Sequence, residues 1–209
     1  MIIPFVQDVR ATDKRDRILD AALSVFAEFT FAGTAMPMVA DRAGVGAGTI
    51  YRYFASKEEL VNELYREWKT TMAREVMAEA RPGQAPRDEF GALWRGLARF
   101  AGLHPDAYRF LEGHHHRAYL SAESAATGTA LEDAALRFLR RAQRSGDVRR
   151  GDCTILLAMV MGAFRGVFDT WVMPPVDVPT RQIHATEDAA WSMLAAPTVG
   201  PRPTRRVRS

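Results

Sequence analysis

Two glycines flanking one apolar residue, Gly44-Val45-Gly46, interrupt a helical pattern and constrain the fold more than any other feature of the chain. A glycine directly after a helix adopts the left-handed backbone that ends it, and glycine also serves as the cap before a new helix. The sequence predicts one helix that Thr34 caps and that runs through Ala43, and a second helix over residues 47–53. Two short helices joined by a tight glycine turn are typical of a helix-turn-helix, whose second helix enters the DNA major groove.

The second of these helices has an unusual composition. Ala47 and Gly48 are too small to contribute to packing, and small residues at a helix start allow close approach to another surface. Ile50 and Phe54 are expected to anchor the helix from its other side. Side chains that can reach phosphates or base edges are Thr49, Tyr51 and Arg52. The alternative is a tight helical corner packed inside an enzyme.

The segment that follows predicts a well-defined start for a longer helix. Ser56 and Glu59 have the spacing of a capping box. Lys57 then lies at the positive end of the helix dipole, where a cation is unfavourable unless an anion approaches. A DNA phosphate would supply that anion.

These residues carry a resemblance to a known family. The pattern IL-AA--VFAE followed by T----VA--AGV--GTIYRYFASKEEL resembles the N-terminal domain of the TetR family of bacterial transcription regulators, over about residues 14–61. The resemblance implies an all-helical homodimer with an N-terminal helix-turn-helix. It also implies a C-terminal pocket for a small-molecule effector, whose binding releases a repressor from its double-stranded operator DNA.

The resemblance also implies roles for individual residues. Positions that usually contact phosphates are matched by Thr34, Thr49, Tyr51, Tyr53 and Lys57. Positions near base edges are matched by Ala47, Gly48 and Arg52. The chain departs from the family pattern at Thr30, where a glycine is usual, and at Ala35 and Gly46, where a hydroxyl is usual. We therefore expect affinity for DNA to depend on the remaining contacts.

Apolar spacing predicts an all-α fold of about nine helices. We expect a helix-turn-helix DNA-binding domain over residues 1–60, a ligand-binding and dimerisation domain over 61–200, and a basic disordered tail over 201–209. The helix that starts near Lys57 is predicted to reach about Ala80 and to link the two domains mechanically. A break over residues 81–86, which contains two prolines and a glycine, follows it.

The penultimate helix, predicted over residues 152–172, is apolar on most sides and must be buried on most sides. A second subunit would cover the extra face, and the resemblance implies that the last two helices pair with their copies in a homodimer. Its most apolar run, residues 154–164, is about half the length of a membrane span, and Arg165 and Asp169 follow it. We expect no membrane association.

An aromatic and methionine-rich set of residues predicts a pocket for a small apolar or flat aromatic effector. Its proposed lining residues are Trp68, Met72, Trp94, Tyr108, Phe110, His115, Met159, Phe164, Phe168 and Trp171. The alternative for each apolar member is an ordinary place in the core, because core residues follow the same helical spacing.

A run of three histidines, His114, His115 and His116, follows Glu112 and raises a second hypothesis, a helical metal-binding enzyme centred on residues 112–116. Consecutive residues on a helix point about 100° apart, so at most two of the histidines can share one ligand. Metal sites on helices favour spacings of three or four residues. The sequence offers neither a paired nucleophile and base nor a phosphate-binding glycine loop, and we expect no catalytic site, bound metal or cofactor.

Charge and cysteine content narrow the class of protein. The first 60 residues hold 7 Lys/Arg and 8 Asp/Glu, whereas residues 201–209 hold 4 Arg and no acid. The net charge of +3 therefore resides in the tail, and individually placed side chains must account for DNA binding. The one cysteine, Cys153, excludes an intramolecular disulfide and a cysteine-based zinc site. With no N-terminal signal sequence recognisable, we expect a cytoplasmic protein.

Overall fold

The computed structural model of the chain describes residues 14–81, 83–113, 118–172 and 178–197. These residues form nine α-helices and no strand, which confirms the predicted all-α fold. In chain order the helices are α1 Lys14–Glu28, α2 Met36–Ala43, α3 Ala47–Ile50, α4 Lys57–Met77, α5 Pro86–Leu103, α6 Pro105–Gly113, α7 Ala122–Ser145, α8 Cys153–Val172 and α9 Thr180–Leu194. The three consecutive histidines and the basic tail lie outside the described residues.

The first three helices share a small core. Phe26 of α1, Val39 of α2 and Ile50 of α3 are each at most 1% exposed. Arg42 fastens α2 to α1, because its guanidinium donates to the Ser24 hydroxyl at 2.5 Å and to the Glu28 carboxylate at 3.1 Å. The buried Ile50 anchors the short α3 to the core that α1 and α2 form.

Helix α4 packs against both halves of the molecule. It contacts α1 on the N-terminal side and α5, α6 and α7 on the C-terminal side. Its 21 residues correspond to a length of about 31 Å. The helix ends at Met77, three residues before the predicted end at Ala80. The predicted mechanical connection between the two halves is therefore a continuous helix.

Helix α8 is buried along one stripe only. Leu156, Val160, Phe164 and Phe168 recur every fourth residue, and each is at most 6% exposed. On the opposite face Ile155 is 61% exposed and leaves its apolar surface uncovered within one chain.

By length and apolar content alone, one helix of the described part of the chain could cross a membrane, over Cys153–Thr170. Only 22% of this segment is buried within a single chain. The core helix of a water-soluble protein meets the same criterion. In this fold the segment belongs to α8, which packs against α5, α7 and α9.

Candidate DNA-binding surface and ligand cavity

The turn between α2 and α3 has the geometry that the glycines predict. Gly44 adopts the left-handed conformation, with φ of 64°. Its N–H donates to the Asp41 carbonyl at 3.2 Å, and the Val45 N–H donates to the Ala40 carbonyl at 3.0 Å. These bonds end α2 and direct the chain into α3. The predicted helix-turn-helix is thereby confirmed.

Helix α3 is shorter than predicted. Regular helix ends at Ile50, and residues 51–53 form a turn instead of a further helical turn. The anchors are as predicted, since Ile50 is fully buried and Phe54 is 3% exposed. On the other side Tyr51 is 53% exposed and Tyr53 is 39% exposed.

The remaining predicted contacts of α3 and its following turn are exposed or half-buried. Ala47, Gly48 and Arg52 are exposed, and Thr49 is half-buried. A Cβ built on Gly48 would meet no atom within 4 Å, so open space lies over this helix start. A surface with room for close backbone approach and with aromatic hydroxyls beside it can fit a DNA groove.

Thr34 has a different role from the predicted one. It was expected to cap α2, but α2 begins at Met36 with Ala35 as its cap residue. The Thr34 hydroxyl instead donates to the Thr30 carbonyl at 3.1 Å, and the residue is 2% exposed. Thr30 also accepts from the Gly33 N–H through its hydroxyl at 3.3 Å and from the Thr34 N–H through its carbonyl at 3.0 Å. Thr34 therefore supports the loop from inside, and its hydroxyl is not presented to DNA.

Lys57 is not the uncompensated cation that its position predicted. Its ammonium donates to the carbonyls of Phe31 at 2.8 Å and Thr34 at 2.9 Å. It also lies 4.2 Å from the centre of the Phe31 ring, a cation–π contact. These partners offset the unfavourable helix dipole and tie the start of α4 to the loop between α1 and α2.

The predicted capping box is present with one change of partner. The Ser56 hydroxyl accepts from the Glu59 N–H at 3.1 Å, as expected. The Glu59 carboxylate accepts from the Ala55 N–H at 2.6 Å, one residue before the predicted donor. The start of α4 is therefore fixed from both directions.

An asparagine on α4 joins the two halves of the molecule. Asn62, 7% exposed, donates from its amide to the Tyr119 carbonyl at 2.9 Å. Its side-chain oxygen accepts from the Ser121 N–H at 2.7 Å. Both partners lie in the segment 118–121 between α6 and α7. Because the donor and the acceptor of this buried amide both have partners, the segment is held at one position along α4.

The same segment also touches the helix-turn-helix part directly. The Tyr119 ring stacks on the Phe31 ring with centroids 4.0 Å apart. The next residue, Leu120, lines a cavity in the C-terminal half. Phe31 in turn lies under the Lys57 ammonium. Contacts therefore run without interruption from the cavity wall to the base of the DNA-binding surface.

A cavity of about 560 Å³ lies between α4, α5, α7 and α8. Of the predicted lining residues, Met72, Trp94 and Phe164 are part of its wall. The sequence analysis missed other wall residues, among them Tyr65, Lys69, Val76, Phe90, Leu93, Leu97, Phe138, Leu157, Val160 and Met161. A signal was available for some of them, because Tyr65, Lys69, Met72 and Val76 fall on one face of α4 at spacings of four, three and four residues.

Five predicted lining residues are not part of the wall of this cavity: Trp68, Tyr108, Phe110, Met159 and Phe168. Trp68 packs on Phe100 and His104, and Phe110 faces Phe26 of α1. Phe168 stacks behind Phe164, with ring centroids 4.0 Å apart.

Tyr108 and Met159, two of the residues outside the cavity wall, lie on opposite sides of α8. The Tyr108 ring packs behind the cavity against Phe164, at 6.0 Å between centroids. Met159 is on the outer face of α8 and is 46% exposed. His115 and the side chain of Trp171 lie outside the described part of the chain.

The cavity wall includes one polar cluster. The Lys69 ammonium lies 2.8 Å from a Glu112 carboxylate oxygen, and their side chains are 13% and 16% exposed. Tyr65 is the third member, with its ring centre 5.9 Å from the Lys69 ammonium. Burial raises the pKa of the Tyr65 hydroxyl, an effect that Lys69 opposes and Glu112 reinforces. The phenol therefore keeps its proton at neutral pH.

The alternative of a metal enzyme receives no support from this cluster. Within the residues that the structure describes, no group of three His, Cys, Asp or Glu side chains could hold a metal ion. Glu112, the acidic member of the proposed metal site, is paired with Lys69.

Comparison with known proteins decides the family. The sequence pattern described as "Bacterial regulatory proteins, tetR family" matches residues 18–64, and the pattern described as "Tetracyclin repressor-like, C-terminal domain" matches residues 65–196. The chain belongs to the TetR family. Its members are DNA-binding transcription regulators and not enzymes, so membership sets the metal-enzyme hypothesis aside.

Individual members of the family are similar to the chain in sequence or in fold. The regulator YhgD of Bacillus subtilis is 39% identical over 74 residues, which are 35% of this chain and 37% of YhgD. The repressor KstR2 of Mycobacterium tuberculosis is 29% identical over 120 residues, 56% of this chain and 53% of KstR2. The matched stretches thus span about half, or less, of these relatives. A TetR family regulator from Marinobacter aquaeolei VT8 has the same fold, with a TM-score of 0.76 and 20% identity over 88% of this chain and 96% of that one.

Proposed function

We propose that this TetR family protein is a sequence-specific repressor that acts as a homodimer and leaves its operator when a small apolar effector occupies the cavity. The observation that carries the proposal is the pairing of two features in one chain. A rigidly anchored α3 presents an exposed edge, and a cavity large enough for a small molecule lies in the C-terminal half. Relatives that share this family are named as transcriptional repressors.

The proposed DNA contacts follow from exposure. Ala47 and Gly48 let the start of α3 approach base edges, and Arg52 reaches a base or phosphate. Phosphates are contacted by the exposed hydroxyls of Tyr51 and Tyr53 and by the half-buried Thr49. For Lys57 we propose a contact through the ammonium hydrogen that its two carbonyl partners leave available.

The proposed dimer places the last two helices of each chain against their copies. The outer face of α8 supports this arrangement, because Ile155 and Met159 expose large apolar surfaces there. On the same face Gly162 and Gly166 have nothing within 4 Å of an added Cβ, which leaves room for close helix packing. A four-residue α3 reads few base pairs, and a dimer provides two such helices one turn of DNA apart.

The proposed switch uses the contacts between the cavity and the DNA-binding half. Leu120 lines the cavity, and its neighbours Tyr119 and Ser121 are bonded to Asn62 of α4. An effector that binds better when this segment moves would shift α4, and with it the spacing of the two α3 helices in the dimer. Only such a difference in affinity between two conformations can release DNA.

Selection of bound sequences from random duplex DNA tests the proposal. We expect enrichment of an inverted repeat with half-sites about one helical turn apart. A protein that enriches no sequence would contradict sequence-specific binding, and a single asymmetric half-site would contradict the homodimer. Because non-specific affinity varies steeply with ionic strength, the selection should be run at one fixed salt concentration.

A further inference from the structure

The polar cluster in the cavity has a composition that the proposed repressor function does not explain. Lys69 and Glu112 form an ion pair whose side chains are 13% and 16% exposed, within a wall that is otherwise largely apolar. Ionised side chains are seldom buried to this degree, and burying them costs free energy that packing of apolar residues would not. Tyr65 adds a third polar group at the same place.

The ion pair at Lys69 disfavours an anionic ligand at the polar cluster. Two of the three carboxylates in the wall already have a cation, Glu112 at 2.8 Å from Lys69 and Glu89 at 2.6 Å from Arg141. A ligand carboxylate at the cluster would have to share Lys69 with Glu112, and two carboxylates at one cation repel each other.

A neutral oxygen fits the cluster without disturbing it. The Lys69 ammonium has three hydrogens, and one is donated to Glu112 at 2.8 Å. A carbonyl or hydroxyl oxygen can accept another of these hydrogens while the ion pair stays intact. The ion pair then acts as a fixed donor, because Glu112 restrains an otherwise flexible lysine.

The rest of the wall requires an apolar molecule. Met72, Phe138 and Phe164 are each at most 5% exposed and face the cavity from α4, α7 and α8. Trp94 completes this wall from α5, where its indole N–H donates to Thr186 of α9 at 3.2 Å and is not directed at a ligand. Among the polar wall residues, Lys69 and Glu112 form a little-exposed ion pair, and we expect this pair to recognise the polar group of the ligand.

We propose that the effector is a neutral, largely apolar molecule whose carbonyl or hydroxyl oxygen accepts a hydrogen bond from Lys69, with Glu112 positioning that lysine. This inference rests on the proposed function, because it identifies the chemical class of the effector for the same cavity. It assigns discrimination between neutral and anionic ligands to two residues on α4 and α6.

Calorimetric titration of the full chain with two matched probes tests the inference. Dodecan-2-one and dodecanoate have the same chain length and differ in the charge of the polar end; both are used below the concentration at which they aggregate. The key variant is the double substitution Lys69→Met/Glu112→Leu, which removes the donor and its partner together and leaves no unpaired charge. Lys14→Met, on the exposed start of α1, is the matched control.

We expect the unsubstituted protein to bind the ketone at least tenfold more tightly than dodecanoate. The double variant should lose about tenfold in affinity for the ketone, the size expected for one hydrogen bond. Lys14→Met should bind both probes as the unsubstituted protein does. Equal or tighter binding of dodecanoate, unchanged ketone affinity in the double variant, or binding of neither probe would overturn the inference.

The proposed function is tested independently by the operator selection, which uses no effector. A protein that enriches an operator but prefers dodecanoate retains the proposed function and refutes the neutral effector. A protein that prefers the ketone but enriches no DNA sequence supports the neutral effector and refutes the proposed function.

Discussion

The ring of Tyr119 stacks on the ring of Phe31, 4.0 Å away between centroids and inclined by 19°. The two residues are 88 positions apart and belong to different halves of the molecule. Because the next residue, Leu120, lines the cavity, this stack connects the segment that borders the cavity to the loop that leads into the DNA-binding helices. It also lies under the Lys57 ammonium.

We predict that Phe31 and Tyr119 are energetically coupled. The single variants Phe31→Leu and Tyr119→Leu should each lower the free energy of unfolding, whereas the double variant should lose less than the sum. The expected interaction energy is about 0.5–1.5 kcal/mol, typical of an aromatic pair. Urea denaturation of the four proteins measures it. Strict additivity would mean that the stack does not hold the two halves together.

The turn chemistry of this chain could be predicted from sequence because it is local. Gly44 and Gly146 end helices in the left-handed conformation, with φ of 64° and 87°. In both cases the glycine alone predicts the end of the helix. Helix α8, predicted over residues 152–172, spans Cys153–Val172. Helix start and stop signals depend on neighbours within one turn.

The role of Thr34 could not be predicted because it depends on distant residues. Its hydroxyl points to Thr30 and its carbonyl accepts from Lys57, 23 residues later. The cavity wall was only partly predicted for a related reason. Trp94 and Trp68 both follow helical spacing, and only the positions of neighbouring helices decide that the first faces the cavity and the second faces His104.

Lys57 and Tyr51 should behave differently on substitution, although both are proposed DNA contacts. Lys57→Met removes two bonds to carbonyls and should lower the free energy of unfolding by about 1–3 kcal/mol as well as operator affinity. Tyr51 is 53% exposed, so Tyr51→Ala should weaken operator binding and change stability by no more than about 0.5 kcal/mol.

Gel-shift titration on the selected operator at fixed salt, together with urea denaturation, separates the two effects. Unchanged stability of Lys57→Met would show that its carbonyl bonds contribute little. Unchanged operator affinity of Tyr51→Ala would remove that residue from the interface.

Removing the two arginine partners of the buried Glu187 should destabilise the protein more than removing Glu187 itself. Its side chain is 4% exposed, and its two oxygens accept from Arg87 at 2.6 Å and from Arg95 at 2.7 Å. The double variant Arg87→Met/Arg95→Met leaves a buried charge near only His184, 3.5 Å away, and should cost about 3–5 kcal/mol. Glu187→Met leaves two arginines that are about a third exposed and can be hydrated, so its cost should be smaller.

Urea denaturation at pH 7 of Arg87→Met/Arg95→Met and of Glu187→Met tests which variant loses more free energy of unfolding. Arg87→Met also removes an ion pair with the exposed Asp188 and a contact with the Trp191 ring. The single variant Asp188→Asn, expected to cost no more than about 1 kcal/mol, measures the contribution of that exposed pair. A larger loss for Glu187→Met than for the double arginine variant would contradict the account. It would show that packing of the Glu187 side chain, and not its charge, fastens α9 to α5.

Two glycines of α5 should give opposite results when replaced by alanine. A Cβ on Gly96 would lie 2.7 Å from the Val76 carbonyl oxygen and 2.8 Å from its Cα, both backbone atoms that cannot rotate away. Gly96→Ala should therefore separate α5 from α4 and cost about 1–3 kcal/mol. Gly102 has nothing within 4 Å of an added Cβ, so Gly102→Ala should stabilise by about 0.5–1 kcal/mol through helix propensity. Thermal or urea unfolding of both variants tests the signs. A neutral Gly96→Ala would contradict the close crossing of α4 and α5, and a destabilised Gly102→Ala would contradict the open space beside that glycine.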